Sequence, residues 1–141
     1  MKNRVLIIAS LLLLVVSFSV SAVALKPYKV QNVGDIKPSS PIYMVGDEYT
    51  SGWVSNYYNR GTMMFNLKNS YRVFTCTIGP TDDVSLGSEH TIDFYVDGQL
   101  AKSCYFEGGD FPQDIEVNLN YQRQLKIETD GKLAIVNADF K

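Results

Sequence analysis

The stretch IDFYVDGQLAKSCYF, residues 92–106, carries the pattern that decides the fold. In its first part, apolar and polar side chains alternate with a period of two, which is typical of a β-strand with one buried face. The Asp97-Gly98 pair that follows suits a two-residue type I′ turn, because this turn needs a positive φ at both central positions. The stretch therefore predicts a β-hairpin formed by residues 92–96 and 99–106.

The same strand pattern recurs on both sides of this hairpin. Residues 115–119 and 125–127 alternate apolar and polar side chains, and residues 71–78 are apolar on much of both faces, which is typical of a strand inside a sheet. A second pair, Asp130-Gly131, predicts another hairpin between residues 125–129 and 132–140. No stretch shows a 3.6-residue apolar stripe with helix caps. We therefore expect an all-β fold of about eight to ten short strands, an antiparallel β-sandwich or jelly roll.

The amino terminus predicts an export signal. Lys2 and Arg4 precede an apolar run, and Ala22 and Ala24 are small side chains at positions −3 and −1 of a cleavage site after Ala24. The alternative is an uncleaved membrane anchor, which would need about 20 apolar residues. We expect cleavage, a secreted mature chain and no membrane span after it. The predicted segments are a signal peptide at 1–24, an N-terminal linker or edge strand at 25–41, and the β-sandwich domain at 42–141.

Charge and composition exclude several classes of function. The chain has 13 Lys and Arg against 15 Asp and Glu, and without Lys2 and Arg4 the mature chain has a net charge of −4. An acidic chain without a basic cluster does not suit nucleic acid. His90 is expected to lie exposed in a loop, and the serines near it lack the Gly-x-Ser-x-Gly elbow of a hydrolase. We therefore expect no enzyme and no nucleic-acid partner.

Five fragments, in order along the chain, resemble one known family. They include a Tyr…Phe strand that ends in Gly79 and an acidic pair, and they occupy residues 65–83, 94–98, 112–119, 124–127 and 137–140. Together they are similar to NPCBM (novel putative carbohydrate-binding module)/NEW2 domains, which are related to family 51 carbohydrate-binding modules. The resemblance covers residues 42–141. It implies a galactose-binding-like jelly roll that binds glycans without catalysis and is often attached to a larger secreted glycosidase.

The stretch that precedes residue 62 is the candidate ligand-binding surface. It combines aromatic planes with planar polar side chains, which together can bind the apolar face and the hydroxyl rim of a sugar ring. These residues are Trp53, Tyr57, Tyr58, Asn59 and Arg60. The stretch has no histidine, although family members usually carry one there. The alternative is that Trp53 packs in the core and the tyrosines cover one end of a sheet.

Two further pairs of residues remain open from the sequence alone. Asp82 and Asp83 follow a Gly-Pro turn and could supply two oxygen ligands of a structural calcium, or they could be solvated turn residues. Cys76 and Cys104 are the only cysteines, and export would allow a disulfide between them. Alternatively, Cys76 is a free thiol that fills space inside its strand. No other cofactor is expected.

The function expected from these observations is recognition without chemistry. We expect a secreted protein that binds a glycan at the cell surface or in the wall. The alternative is a secreted structural or protein-interaction domain on the same scaffold that has lost sugar binding and binds a cell-surface protein. A wide, flat apolar patch would favour this alternative.

Overall fold

The computed structural model describes residues 25–31, 36–56 and 60–141. Within them the chain is all-β, as expected, and none of their segments is a helix that could span a membrane. The strands in this part of the chain are β1 (Lys29–Gln31), β2 (Ile36–Ser39), β3 (Ile42–Met44), β4 (Asp47–Tyr49), β5 (Gly52–Ser55), β6 (Gly61–Asn66), β7 (Val73–Pro80), β8 (Glu89–Val96), β9 (Gln99–Glu107), β10 (Gln113–Asn118), β11 (Gln124–Asp130) and β12 (Leu133–Phe140).

Ten of these strands form two five-stranded antiparallel sheets. Sheet A has the order β1-β6-β11-β8-β9, and sheet B has the order β10-β7-β12-β5-β2. The other two strands, β3 and β4, form a small separate hairpin. The sequence predicted a linker or an edge strand in residues 25–41, and in the structure β1 lies at one edge of sheet A. The next strand, β2, lies at one edge of sheet B in a stretch where the sequence predicted no separate strand.

The two sheets pack face to face around one apolar core. Strand β7 lies inside sheet B, as expected for residues 71–78, and its side chains Phe74, Cys76 and Ile78 are buried. The Phe74 ring lies 6.1 Å from that of Phe94 in sheet A, measured between centroids. Tilted rings at this spacing attract each other beyond the gain from burial alone. The largest fully buried side chains are Phe74, Phe94, Phe106, Met44, Met63, Leu67, Ile78, Ile92, Leu119, Leu125, Ile127 and Leu133.

The β3–β4 hairpin covers part of the outer face of sheet B. Its buried side chains, Ile42 and Met44, pack against Ala134 and Val136 of β12 and form a second apolar cluster. This close approach requires a residue without a side chain beneath the hairpin. A Cβ added at Gly79 would lie 3.1 Å from Met44 Sδ and 3.0 Å from the Cα of Pro112.

The two Asp-Gly pairs behave differently. Asp97 and Gly98 have φ values of 46° and 79° and join β8 to β9, so the first predicted hairpin is confirmed. The second predicted hairpin is wrong, because β11 pairs with β6 and β8 in sheet A, whereas β12 pairs with β5 and β7 in sheet B. Asp130 is the last residue of β11 and pairs with Thr91. Gly131, with a φ of 94°, carries the chain from one sheet to the other.

The sandwich has two ends, named here by one residue each. At the Asp97 end, β6 finishes at Asn66 and β11 begins at Gln124. At the His90 end, β8 begins and β11 finishes. Strand β5 finishes and β6 begins at the His90 end, and the link between β11 and β12 lies there as well.

Candidate functional site

A shallow hollow of about 490 Å³ lies at the Asp97 end. The residues that line it come from the segment before β1, the end of β6, the turn between β8 and β9, and the start of β11. They are Tyr28, Asn66, Asp97, Arg123 and Gln124. The hollow therefore forms where several strands of sheet A begin or end, and no single stretch of sequence contains it.

Asp97 holds the base of the hollow in place. Its Oδ1 accepts hydrogen bonds from the backbone N–H groups of Arg123 (3.1 Å) and Gln124 (2.8 Å), and its own N–H donates to the Gln124 carbonyl (3.0 Å). On the other side, the Arg123 carbonyl accepts a hydrogen bond from the Leu67 N–H at 2.8 Å. The backbone at Arg123 is thus held by hydrogen bonds on two sides, which fixes the position of its Cβ atom in the absence of a ligand.

Tyr28 forms an aromatic wall of the hollow. Its side chain is 55% exposed, and its hydroxyl accepts a hydrogen bond from Gln124 Nε2 at 2.6 Å. Its backbone N–H donates to the Met64 carbonyl, which anchors the residue beside sheet A. Asn66 uses its Oδ1 to accept the Lys68 N–H at 3.1 Å, so its amide nitrogen points to no protein acceptor within the described residues. The result is a ring face beside free amide donors.

The side chain of Arg123 completes the set of donors. Among the described residues, no hydrogen-bond acceptor or carboxylate pairs with its guanidinium group. Among the described residues that line the hollow, one has a carboxylate, Asp97, and its Oδ1 is already bound by backbone N–H groups. Glycoside hydrolysis needs two carboxylates on either side of the scissile bond. The described residues thus offer one carboxylate, a ring face and hydrogen-bond donors, which together suit a polyhydroxylated ligand.

The predicted aromatic loop lies elsewhere. Trp53 is half-buried in β5 and packs against the main core, as the packing interpretation expects. Arg60 is exposed, and its Nε donates to Asp130 Oδ2 at 3.1 Å. Tyr57, Tyr58 and Asn59 lie outside the described residues. The described members of this stretch, Trp53 and Arg60, do not line the hollow, and the binding role of the stretch stays a prediction.

The acidic pair after β7 is engaged by protein groups. The Asp82 carboxylate accepts hydrogen bonds from the backbone N–H groups of Val45 and Gly46 and so holds the β3–β4 turn. Asp83 forms an ion pair with Lys132 and accepts the Thr81 hydroxyl. Partial burial raises the pKa of the Asp83 carboxyl, but these hydrogen bonds and the Lys132 charge outweigh it, so the pKa lies below its usual value.

No metal site is evident around this pair. No group of three or more His, Cys, Asp and Glu side chains in the described ranges is arranged to hold a metal ion. Calcium binding by Asp82 and Asp83 stays a prediction.

The expectation for His90 is wrong, because its side chain is only 1% exposed. Its Nδ1 accepts the Lys132 N–H at 3.0 Å, so the ring proton is on Nε2, which donates to Ser88 Oγ at 2.8 Å. The Ser88 hydroxyl in turn donates to the Ser85 carbonyl. Burial lowers the pKa of the imidazole. The ring fits because Gly131 packs against it: a Cβ there would lie 2.3 Å from Nδ1.

The hydrogen bonds of His90 hold the fold together and do not resemble those of a catalytic histidine. A Ser–His–Asp triad needs a carboxylate at Nδ1 to orient the imidazole. In this protein a backbone N–H occupies that position, so His90 and Ser88 do not form a catalytic pair.

The two cysteines are free thiols in this structure. Cys76 is buried in β7 of sheet B, and Cys104 is half-buried in β9 of sheet A. Both contact the main core. Burial and, to a smaller extent, the nearby Cys104 raise the pKa of the Cys76 thiol. The disulfide stays a prediction.

An apolar patch lies at the His90 end. Its exposed members are Leu86 (86% exposed), Phe111 (75%), Tyr43 (46%) and Val45 (38%). Leu86 and Val45 line a shallow depression of about 280 Å³ together with Gly109. The patch is separate from the hollow, which lies at the opposite end of the sandwich.

Comparison with known proteins gives one family and a set of similar folds. The family model described as NPCBM/NEW2 domain matches residues 17–140. No curated protein sequence matches the chain.

Three solved structures illustrate the shared fold. A structure of the CBM51-2 and INT domains of Clostridium perfringens ZmpB has 14% identity and a TM-score of 0.68, over 82% of this chain and 30% of that one. The CBM51 of C. perfringens GH95, in complex with methyl-galactose, has 12% identity and a TM-score of 0.66, over 83% of this chain and 95% of that one. The tandem CBM51 modules of Streptococcus pneumoniae Sp3GH98 have 10% identity and a TM-score of 0.65, over 82% of this chain and 44% of that one. At these identities the similarity establishes the galactose-binding-like sandwich fold.

Proposed function

The chain belongs to the NPCBM/NEW2 domain family, and we propose that it is a non-catalytic glycan-binding protein whose site is the hollow at the Asp97 end. One observation carries the proposal. The exposed ring of Tyr28 stands beside the unengaged donors of Asn66 and Arg123 on a backbone that Asp97 already holds in place.

The hollow suggests a specific mode of binding. The Tyr28 ring stacks against the apolar C–H face of a pyranose, and Gln124 fixes its hydroxyl through the 2.6 Å hydrogen bond. The Asn66 amide and the Arg123 guanidinium then donate hydrogen bonds to hydroxyls at the rim of the sugar. A shallow site buries little ligand surface, so affinity for one short sugar is weak and dense surface glycans raise it through multivalency.

The comparisons support glycan binding in general. The family name refers to carbohydrate binding, and two proteins of the same fold are in complex with a sugar, the GH95 module with methyl-galactose and CBM51-2 of ZmpB with GlcNAc. Neither sugar is transferred to this chain. The chain spans 30% of the ZmpB structure, and the proposal therefore does not include the activity of such larger proteins.

Location and the absence of catalysis are part of the proposal. The leader-like residues 1–24 support secretion, followed by action at the cell surface or in the wall. The lack of a second carboxylate in the described hollow and the structural role of His90 support a non-catalytic protein.

The test is a glycan array probed with residues 25–141. We expect binding to a defined subset of glycans, and we expect Tyr28→Ala to weaken it at least about fivefold, because the stacking face is lost. The matched control is Tyr105→Ala, which removes a ring of similar exposure (50%) on β9. Unchanged binding by Tyr28→Ala would place the site elsewhere, and silence of the wild-type protein across the array would reject glycan binding.

A second candidate function is protein interaction through the apolar patch. The exposure of Leu86 (86%), which lines one depression together with the exposed Val45, favours it, because adjoining exposed apolar side chains often mark contact sites. A photo-crosslinking residue at position 86 should then capture one cell-surface protein, while the same residue at position 105 should not. Equal labelling from both positions would reject this candidate.

A further inference from the structure

The cations of this acidic protein differ in whether a carboxylate pairs with them. Four cations form ion pairs with carboxylates: Arg60, Lys126, Lys132 and Lys141. In contrast, Lys68, Arg72 and Arg123 are exposed and have no carboxylate partner within the described ranges. All three lie at the Asp97 end, where β6 finishes and β7 and β11 begin. The other described cations without a carboxylate partner are Lys26, Lys29, Lys37 and Lys102. Of the seven unpaired cations, Arg123 is the one that lines the hollow.

The carboxylates near this end do not neutralise these cations through ion pairs. Asp97 Oδ1 is bound by two backbone N–H groups, and Asp139 pairs with Lys141 at 3.7 Å. Most other carboxylates of the described chain lie on the sheet faces or toward the His90 end. An unpaired cation that lines a hollow is a binding group for an anion, because an anionic ligand recovers electrostatic energy that no protein group supplies.

Arg123 is the cation best placed for this role. Its backbone is fixed by the Asp97 carboxylate and the Leu67 N–H, and its guanidinium lines the hollow beside the Tyr28 ring. A guanidinium is planar and presents paired donors that match the two oxygens of a carboxylate. A neutral sugar offers no acceptor of equal strength.

We propose that the hollow binds an acidic glycan and that Arg123 holds the carboxylate of a uronic or sialic acid residue while Tyr28 stacks on its ring. Lys68 and Arg72 then attract the neighbouring acidic units of a longer chain. This inference rests on the proposed function and narrows it to one class of ligand. A sulfate ester offers the same charge, and the experiment separates the two.

The experiment compares matched glycans that differ in charge. One pair is polygalacturonate and its methyl ester, and the other is sialyllactose and lactose. In titrations at low salt, we expect the acidic member of at least one pair to bind at least about tenfold more tightly. Raising the salt from about 50 mM to about 300 mM should weaken only this acidic binding, because the charges are exposed and screened. Carrageenan, a sulfated galactan, is the third ligand.

Two charge-matched variants test the residue assignment. Arg123→Gln should reduce binding of the acidic glycan at least about tenfold, whereas Lys37→Gln, at an exposed cation on edge strand β2, should change it less than about twofold. Thermal melts should show that Arg123→Gln is folded, because its side chain makes no hydrogen bond or ion pair in the described structure.

Each other outcome has a defined meaning. Equal binding of the acidic and neutral members of both pairs, or full binding by Arg123→Gln, overturns the inference and leaves glycan binding intact. Tighter binding of carrageenan than of either carboxylated glycan overturns the carboxylate assignment. If the glycan array is also silent, the proposed function fails together with the inference.

Discussion

The buried imidazole of His90 should make the stability of this protein depend on pH near neutrality. In the folded state Nδ1 must stay unprotonated to accept the Lys132 N–H, and burial lowers the pKa. In the unfolded chain the pKa returns to about 6.5. Between these two values the unfolded chain binds more protons than the folded one. The stability is therefore complete above about pH 6.5 and falls as the pH decreases toward the folded-state pKa.

The size of the effect follows from proton linkage. One proton taken up on unfolding changes the free energy of unfolding by at most about 1.4 kcal/mol per pH unit. For a domain of this size, this corresponds to at most about 6 °C in Tm per pH unit. The loss levels off below the folded-state pKa, where both states are protonated. His90 is the only histidine of the chain, so few other groups titrate in this range.

The assay is thermal or urea unfolding of residues 25–141 at intervals from about pH 7.5 to about pH 5.5. The wild type should lose stability across this range, whereas His90→Asn, which retains an acceptor near the position of Nδ1, should show a much flatter profile. Ser88→Ala is the control, because it removes the hydroxyl partner of Nε2 and keeps the titrating ring. Parallel profiles of the wild type and His90→Asn would refute the reasoning.

Three further outcomes follow from the geometry. Gly131→Ala should lower the free energy of unfolding by about 2–4 kcal/mol in urea titrations, because Gly131 has a positive φ and an added Cβ would lie 2.3 Å from the buried imidazole. The control Gly98→Ala, which has open space around it, should lower the free energy of unfolding by about 1 kcal/mol. Equal losses in the two variants would contradict this reasoning. Ser55→Ala should lower the free energy of unfolding by about 1–3 kcal/mol, because the buried Ser55 hydroxyl accepts the Leu133 N–H at 2.9 Å and donates to the Gly131 carbonyl at 2.8 Å. An unchanged free energy of unfolding would be inconsistent with these two hydrogen bonds. In the reduced protein, Cys104 should be alkylated first, whereas Cys76 should resist alkylation until the protein unfolds. Mass spectrometry of peptides measures the order of the two reactions. The reverse order would disagree with the burial of Cys76.

The sequence predicted most of the fold because strand alternation is local. The period of two in residues 92–96 and 115–119 appears as buried and exposed alternation in β8 and β10. The turn at Asp97-Gly98 was also predictable, because positive φ at both positions depends only on the turn itself. The wrong prediction of a hairpin at Asp130-Gly131 has a different cause. A turn signal does not specify which strands pair, and the partners of β12 lie about 55 and 80 residues earlier in the chain.

The hollow was less accessible to sequence reasoning. Tyr28, Asn66, Asp97 and Arg123 are separated by long stretches, and only the strand order brings them together. Asp97 was assigned to a turn, and nothing local indicated that its carboxylate also holds the next loop. The aromatic stretch around Trp53 attracted attention because its residues are adjacent in sequence. Sequence proximity is a poor guide in a sandwich, where sites form between distant chain segments.

The most direct test of the central claim is to map the bound glycan on the protein by NMR. A glycan selected on the array is titrated into 15N-labelled protein, and amide chemical shifts are followed residue by residue. The account predicts the largest changes at the amides of Asp97, Arg123 and Gln124. Changes centred on residues 53–60, or on Leu86 and Phe111 at the opposite end, would contradict it.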